Sequence, residues 1–192
     1  MPDAVPPDAT TVAAAVERLR RSGVIAYPTE AVWGLGCDPF DRAAVHRLLA
    51  LKQRAVEKGL ILVAASVQQF DGLVDWISLP AGRRDAVLAS WPGPHTWIVP
   101  ATARVPRWIT GRHEGIAVRI SAHPVVAALC DAFGTPLVST SANLAGTPPP
   151  RRRQDIDPVL AGAIDAVVHG DTGNLARPTP IRDARSGRAL RE

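Results

Sequence analysis

The chain has few cysteines and no long apolar run. Cys37 and Cys130 are its two cysteines, and neither belongs to a CxxC or Cys/His cluster, so a disulfide framework is not indicated. No window of about 18 uninterrupted apolar residues is present, which excludes a transmembrane helix. The N-terminal sequence MPDAVPPDATT lacks the basic and apolar regions of a signal peptide. These absences predict a cytoplasmic protein in a reducing compartment.

Several familiar catalytic and nucleotide-binding motifs are also missing. No GxxxxGK[ST] sequence is present, which excludes a P-loop, and Gly34 and Gly36 do not complete a GxGxxG motif. Ser139 and Ser141 are not part of GxSxG, so a nucleophile elbow is not indicated. The five histidines show no HExxH or paired spacing, so each is interpreted as a surface or satisfied core residue rather than as a zinc ligand.

The bulk composition is that of one soluble globular domain. Hydrophobic residues make up 46% of the 192 residues and charged residues 21%. A chain of this length buries roughly 70% of its unfolded surface, so it needs no disulfide or metal to fold. The net charge of +4 and pI of about 9.8 are compatible with a phosphate-bearing partner. Residues 1–9 are predicted as a loose tail and residues 10–192 as a single domain.

Apolar runs of strand length alternate with helical patterns along the chain. Strands are predicted over residues 24–27, 60–65, 95–99, 115–120, 136–140, 163–169, 181–183 and 188–190. Helices are predicted from residue 10 or 11 to Gly23 and over residues 41–54, 66–73, 82–90, 124–133 and 157–160. Residues 28–40 are read as a loop that either binds a ligand or joins a strand to a helix, and the pattern favours the plain connection. Some strand pairs lack an intervening helix, so the prediction is an α/β fold with a mixed sheet.

The segment LKQRAVEK, residues 51–58, contains Lys52, Arg54 and Lys58, and its two lysines are the only ones in the chain. Lysine is a compact, mobile ammonium that suits a polyphosphate, whereas arginine is a planar fork. The alternative is a solvated helix end, where cations complement the last carbonyls. The segment alone does not separate these two interpretations.

Polar side chains also occur at predicted strand ends. Thr29 and Glu30 follow one strand, and the serine, threonine and asparagine side chains of VSTSAN follow another. Arg119 lies within an otherwise apolar strand and must find a carboxylate, because an unpaired buried charge is very costly. That carboxylate is either a structural Asp or Glu, the commoner case, or belongs to a ligand held bidentately.

Six segments, taken together and in this order, resemble the YrdC-like family, and within it the short bacterial threonylcarbamoyl-AMP synthases. They are YPTEAVWGLGCDP, LKQRAVEKGLILVA, WPGPHTWIVPA, AVRISAHP, VSTSANLAG and IRDA. The resemblance extends from about Ala13 to the end of the chain. Its most specific features are the Lys52/Arg54 and Ser141/Asn143 pairs.

The resemblance implies a twisted mixed sheet flanked by helices, with a concave basic cavity. It implies that L-threonine, bicarbonate or CO2 and ATP are converted to threonylcarbamoyl-adenylate and pyrophosphate. The product would supply the threonylcarbamoyl group of adenosine 37 in ANN-decoding tRNAs, and separate proteins would transfer it. The resemblance leaves open whether this subunit contacts tRNA. No nucleophilic side chain is required, because the protein mainly positions the reactants and neutralises charge.

The resemblance also implies roles for individual residues. Lys52 and Arg54, expected at an exposed cavity, would act in catalysis and grip the polyphosphate with Lys58. Mg2+ would be held mainly by ATP and by no protein side chain. The remaining nucleotide contacts would come from Ser141, Asn143, Arg182 and Arg191. The threonine site would consist of Arg119, which clamps the carboxylate, with Thr29, Ala31, Ser139 and Thr179.

The sequence departs from its longer relatives at several of these positions. Lys58 stands where they have Asn, Thr179 where they have Ser, and Ala31 where many have a second Thr. The other departures are Val63 for His, Gly115 for a hydroxyl residue and Pro149 for Ser. Because the sequence ends near the core domain, we expect no counterpart of the extra C-terminal domain of two-domain members.

Two other functions compete with the synthase interpretation. A non-catalytic RNA- or ribosome-binding module would use the basic cavity for phosphates, and the logarithm of its affinity would fall by roughly 0.9 per neutralised duplex phosphate for each unit of log salt. A carbamoyl-adenylate former of hydrogenase maturation is the second alternative. Such domains normally lie in longer chains with zinc-finger-like and acylphosphatase-like segments, which this chain lacks.

Overall fold

The computed structural model describes residues 9–191. The tail predicted over residues 1–9 lies outside the described residues except for Ala9, which begins the first strand. That short strand runs parallel to residues 167–168, so the described chain starts at one edge of the sheet.

The described residues contain six α-helices and ten strands. The helices are α1 (Val12–Leu19), α2 (Arg42–Leu51), α3 (Arg83–Ala89), α4 (Arg107–Thr110), α5 (Pro124–Phe133) and α6 (Pro158–Ala163). The strands are β1 (Ala9–Thr10), β2 (Ile25–Pro28), β3 (Trp33–Gly36), β4 (Ile61–Ala64), β5 (Thr96–Pro100), β6 (Gly115–Ile120), β7 (Leu137–Ser141), β8 (Ala166–Val168), β9 (Ile181–Asp183) and β10 (Ala189–Arg191). Short 3-10 turns cover Val56–Lys58, Val67–Phe70 and Arg153–Asp155.

The strands form one mixed sheet in the order β1-β8-β2-β3-β7-β4-β6-β5-β9-β10. The pairs β1–β8, β8–β2, β4–β6 and β5–β9 are parallel. The remaining neighbours, including β2–β3, β3–β7 and β7–β4 at the centre, are antiparallel. The predicted mixed α/β sheet is therefore confirmed.

Side-chain caps explain where the main helices begin. The Thr11 hydroxyl accepts a hydrogen bond from the Ala14 N–H, and the Asp41 carboxylate accepts two from the first turn of α2. Pro124 occupies the first turn of α5, where its missing N–H has no helical partner in any case. Helix α2 ends at Leu51, with Lys52 as its C-cap, so the predicted cations do lie at and beyond the end of this helix.

Buried apolar side chains form two clusters on opposite faces of the sheet. On β2, Ala26 packs in one cluster while Ile25 and Tyr27 pack in the other, as the period of two along a strand requires. On β4, Leu62 and Val63 are divided in the same way. Helix α2 contributes to the first cluster, whereas α1 and α5 contribute to the second. We call the two surfaces the α2 face and the α1/α5 face.

The interpretation of residues 28–40 as a loop was wrong for residues 33–36, which form the central strand β3. Glycine is depleted in strands, and Gly34 and Gly36 therefore suggested a loop. Close packing accounts for Gly36: a Cβ there would lie 2.5 Å from the Val138 carbonyl oxygen and 2.7 Å from a Tyr27 ring carbon. Residues 107–110, predicted within a connecting segment, form the short helix α4.

Candidate active site

A cavity of about 460 Å3 opens on the α1/α5 face, where the two helices do not cover the sheet. On β6, Gly115, Ala117 and Arg119 line this cavity, while the alternate residues pack on the α2 face. The other walls come from the β2–β3 turn, the segment between α2 and β4, the end of β7 and residues 178–191. This volume is in the range of small-molecule sites.

Most of the predicted site residues meet in this cavity. They are Thr29, Ala31, Arg54, Lys58, Arg119, Ser139, Ser141, Thr179 and Arg191. Lys52, Asn143 and Arg182 do not line it, although Lys52 and Asn143 lie directly behind Ser141. Arg182 is an exposed residue of β9.

The charge of the cavity wall is entirely positive among the described residues. Arg54, Lys58, Arg119 and Arg191 line it, and no aspartate or glutamate does. Burial lowers the pKa of Arg191, and the neighbouring guanidinium groups of Arg119 and Arg54 lower it further. Burial also lowers the pKa of Arg54. A bound anion would relieve this crowding of like charges.

Arg119 is buried, with 5% of its surface exposed, and it has a structural carboxylate partner. Its Nη2 lies 3.6 Å from Glu30 Oε2, and its Nη1 donates a hydrogen bond of 2.6 Å to the Thr179 hydroxyl. Its Nε has no hydrogen-bond partner among the described residues. The sequence left open whether Arg119 pairs with a structural Asp or Glu or with the carboxylate of a ligand. The structure contains the structural partner, Glu30, and Arg119 nevertheless lines the cavity.

Thr179 joins the closing strands to this guanidinium. Its hydroxyl accepts from Arg119, and its carbonyl oxygen accepts a 2.9 Å hydrogen bond from Arg191 Nη2. The hydroxyl also lies 3.4 Å from that of Thr96 on β5. The hydrogen bond to the Thr179 carbonyl oxygen fixes Arg191, on the last strand of the described chain, at the cavity wall.

Lys52 is not at an exposed cavity, contrary to the expectation for it. It is 5% exposed, and its ammonium donates to the carbonyl oxygens of Ser141 and, at 2.7 Å, Asn143. Helix α2 packs on the opposite face of the sheet, so Lys52 reaches the end of β7 from behind. Burial, assisted by the charge of Arg54, lowers the pKa of Lys52 to about 8.

The Asn143 side chain shapes the turn that follows β7. Its Nδ2 donates to the carbonyl oxygens of Leu144 at 3.0 Å and Thr147 at 2.6 Å. Lys52 and Asn143 together therefore hold the backbone of the turn in which Ser141 faces the cavity.

Sequence reasoning missed Thr110 and His113, which also line the cavity. Thr110 is 6% exposed, and its hydroxyl has no partner among the described residues. Neither residue belongs to a recognisable motif, and the segment was read as a connection. The only available signal was the unexplained histidine of GRHEG, which was interpreted as a surface or satisfied core residue; His113 is exposed.

The positions that depart from the longer relatives separate into two groups. Ala31, Gly115, Pro149, Lys58 and Thr179 all line the cavity, so these changes alter its surface. Val63 is fully buried in the apolar cluster of the α1/α5 face and is not among the cavity residues.

Within residues 9–191, no group of three or more His, Cys, Asp or Glu side chains could hold a metal ion. No helix in the same range is long and apolar enough to cross a membrane. Cys37 and Cys130 are buried free thiols, and burial raises the pKa of Cys130 to about 12.

A mixed α/β domain with a cation-lined cavity suits the binding of small anionic ligands. Residues 17–192 match the Sua5/YciO/YrdC family, described as telomere recombination, and the chain belongs to this family. The resemblance to YrdC-like proteins is confirmed.

Several proteins with high sequence identity to this chain are named threonylcarbamoyl-AMP synthase. The threonylcarbamoyl-AMP synthase of Xanthomonas euvesicatoria pv. vesicatoria is 67% identical over 181 residues, covering 93% of this chain and 95% of that protein. The protein of the same name from Stenotrophomonas maltophilia is 64% identical over 181 residues, covering 94% and 97%.

Solved structures agree with the fold. P. abyssi Sua5 complexed with L-threonine superposes with a TM-score of 0.83 at 30% identity, covering 90% of this chain. This chain spans 50% of that longer protein. E. coli YciO superposes with a TM-score of 0.79 at 24% identity over 97% of this chain and 94% of YciO, which bears on the fold alone.

Proposed function

We propose that this chain is a threonylcarbamoyl-AMP synthase. It condenses L-threonine, bicarbonate or CO2 and ATP into threonylcarbamoyl-adenylate and pyrophosphate. The observation that carries the proposal is the cavity in which Arg54, Lys58, Arg119 and Arg191 converge, with no carboxylate among the described residues of its wall. The names of the relatives at 62–67% identity and the L-threonine complex of P. abyssi Sua5 support it.

The reaction needs charge stabilisation and positioning more than a reactive side chain. The threonine amine adds to bicarbonate or CO2, giving a carbamate; the bicarbonate route releases water. A carbamate oxygen then attacks the α-phosphorus of ATP, and the bond to the β-phosphate oxygen breaks to release pyrophosphate. Fixed cations around the leaving group lower the barrier, because they stabilise charge where it develops.

We place threonine at the Arg119 end of the cavity. The guanidinium would clamp the threonine carboxylate, with Thr179 beside it at 2.6 Å. Thr29, Ala31 and Ser139 would form the surrounding wall.

We place the nucleotide at the Arg54 end. Arg54 and Lys58 would contact the polyphosphate, and Arg191 would lie between it and the threonine site. Ser141 would contact the nucleotide directly, whereas Lys52 and Asn143 would act from behind, through the turn that they hold. Arg182 would have to move to reach the nucleotide, because it lies outside the cavity wall.

Mg2+ would arrive with ATP. A hard cation of this kind prefers oxygen ligands and is often bound through substrate phosphates, and the cavity wall of the described residues offers no carboxylate for it. Its contribution would be to neutralise charge on the phosphates.

We infer that the labile product passes to downstream threonylcarbamoyl-transferase proteins that modify tRNA in the cytoplasm. The basic character of the chain is compatible with a direct tRNA contact, but the reaction itself does not require one.

The test is pyrophosphate release from ATP and bicarbonate, with and without L-threonine, and with L-serine as the control. We expect release that depends on L-threonine and saturates with it. An Arg54→Ala variant should lose most of this activity, while Arg84→Ala, which removes an exposed arginine of α3, should retain it. Absence of threonine-dependent release, together with salt-sensitive RNA binding, would favour the RNA-binding module instead.

A further inference from the structure

Glu30 is buried among cavity residues but is not itself part of the cavity wall. It lies between Thr29 and Ala31, which both line the cavity, and it is 8% exposed. A glutamate is seldom buried without a specific partner, because desolvation of its charge is costly. The reaction proposed above does not use this residue as a ligand.

The two oxygens of Glu30 have different partners. Oε1 accepts hydrogen bonds from the Ser121 hydroxyl at 2.7 Å and from the Ala122 N–H at 3.2 Å. Oε2 lies 3.6 Å from Arg119 Nη2 and has no hydrogen bond among the described residues. One oxygen therefore anchors the carboxylate to the turn between β6 and α5, while the other faces the guanidinium.

This arrangement ties three parts of the threonine site together. Ser121 follows Arg119 by two residues and also accepts the His123 N–H at 3.1 Å. The β2–β3 turn, β6 and the connection between β6 and α5 are thereby joined through one carboxylate. Displacement of Glu30 would shift Arg119 and the Thr29–Ala31 wall together.

The 3.6 Å separation leaves Arg119 with donors to spare. That distance is too long for a good hydrogen bond, so Oε2 balances the charge without fully occupying Nη2. Arg119 Nε also has no hydrogen-bond partner in the described part of the chain. An incoming carboxylate would find a guanidinium that is held in place, with donor capacity remaining.

We propose that Glu30 is a positioning residue that holds Arg119 and the β2–β3 turn for recognition of the substrate carboxylate. The proposal rests on the synthase function proposed above. It assigns Glu30 an effect on amino-acid binding that is separate from nucleotide binding, because no Glu30 contact reaches Arg54, Lys58 or Ser141.

The test compares the wild type with Glu30→Gln, which keeps the shape and removes the charge. Direct binding of L-threonine and L-threoninamide is measured, along with the KM values for threonine and ATP. We expect Glu30→Gln to raise the threonine KM about tenfold and leave the ATP KM within about twofold. The wild-type preference for threonine over its amide should fall by a similar factor, because the amide lacks the carboxylate that Arg119 receives.

Two further variants make the result specific. Glu17→Gln, an exposed carboxylate on α1, is the matched control and should change neither KM. Ser121→Ala removes one anchor of Glu30 and should raise the threonine KM severalfold, so it serves as the test if Glu30→Gln does not fold. A merely structural role would move both KM values together and leave the amide discrimination intact.

Suppose that the wild type is active and that Glu30→Gln and Ser121→Ala both keep the wild-type threonine KM and the wild-type preference for threonine over its amide. This result would overturn the proposed role of Glu30 and leave the synthase function standing. A lower threonine KM in Glu30→Gln would also overturn this role, because the Glu30 charge would then be weakening the binding of threonine to Arg119. Lack of any threonine-dependent turnover in the wild type would instead refute the synthase function.

Discussion

Lys52 shows how the position of one charge determines what it can do. The side chain leaves the end of α2 and donates to two backbone carbonyls behind Ser141 instead of entering the cavity. Carbonyl oxygens stabilise the ammonium, but burial and Arg54 oppose it, which lowers its pKa to about 8. The charge of Lys52 is therefore sensitive to pH close to the physiological range, which is unusual for a lysine.

ATP binding should weaken as the pH rises above about 8, where Lys52 loses its proton. The neutral amine no longer adds positive potential and holds the Ser141–Asn143 turn less firmly. If only the charged form binds, the Kd of a nonhydrolysable ATP analogue rises about 16-fold between pH 8 and pH 9.5. Calorimetry without threonine measures this and avoids titration of the substrate amine.

Lys52→Arg provides the check on this assignment. A guanidinium stays protonated over the same range, so the variant should bind the analogue with little dependence on pH. An equally steep loss of binding in Lys52→Arg would show that another group titrates.

At the scale of elements, β3 is the strand on which the central sheet depends. It pairs with both β2 and β7, and its glycines allow β7 and the Tyr27 ring to approach. Trp33, the first residue of the strand, is 1% exposed and packs in the apolar cluster of the α2 face. The same strand therefore joins the two halves of the sheet and, through Gly34, contributes to the cavity wall.

Gly36→Ala should destabilise the fold more than Gly34→Ala. The added methyl group at position 36 would lie 2.5 Å from a backbone oxygen, which cannot move without disturbing β7, whereas at position 34 the closest atom is 3.3 Å away. Overpacking of this kind costs about 1–3 kcal/mol. For a chain of this size that lowers the Tm by roughly 2–12 °C. Thermal unfolding of both variants measures the difference, and equal Tm values would contradict the packing argument.

The elements that sequence patterns located best have local signals at their ends. Helix α5 was predicted with its observed bounds: Pro124 lies in its first turn, and the structure shows Gly134 directly after its last residue. Strand β6 was likewise found from its apolar run. Strand β3 was missed because Gly36 is required by a contact with Val138, about a hundred residues away, which no local pattern contains.

The site shows the same division between local and distant information. The need of Arg119 for a carboxylate followed from a charge inside an apolar strand. That this carboxylate belongs to Glu30 depends on the approach of the β2–β3 turn to β6, which only the assembled sheet provides. The burial of Lys52 was missed for a similar reason, because the direction of its side chain depends on how α2 packs.

At the scale of the whole molecule, the cavity collects residues from nearly the full length of the described chain, from Thr29 to Arg191. Its four cations line one cavity, so their mutual repulsion opposes folding unless an anion is bound. The segment just before β9 contributes Thr179 to it, and β10 contributes Arg191. Occupation of the cavity should therefore stabilise the whole fold and not one segment.

Pyrophosphate alone should raise the Tm of the protein. A ligand that binds only the native state at about 100 times its Kd adds about 2.7 kcal/mol, which corresponds to roughly 5–11 °C for a chain of this size. Thermal unfolding with pyrophosphate, against sodium chloride of matched ionic strength, separates specific binding from screening. Arg54→Ala should reduce the shift at the same concentration, while Arg84→Ala should preserve it. Equal shifts in the two variants would place the pyrophosphate outside the cavity and contradict the assignment of Arg54 to the polyphosphate.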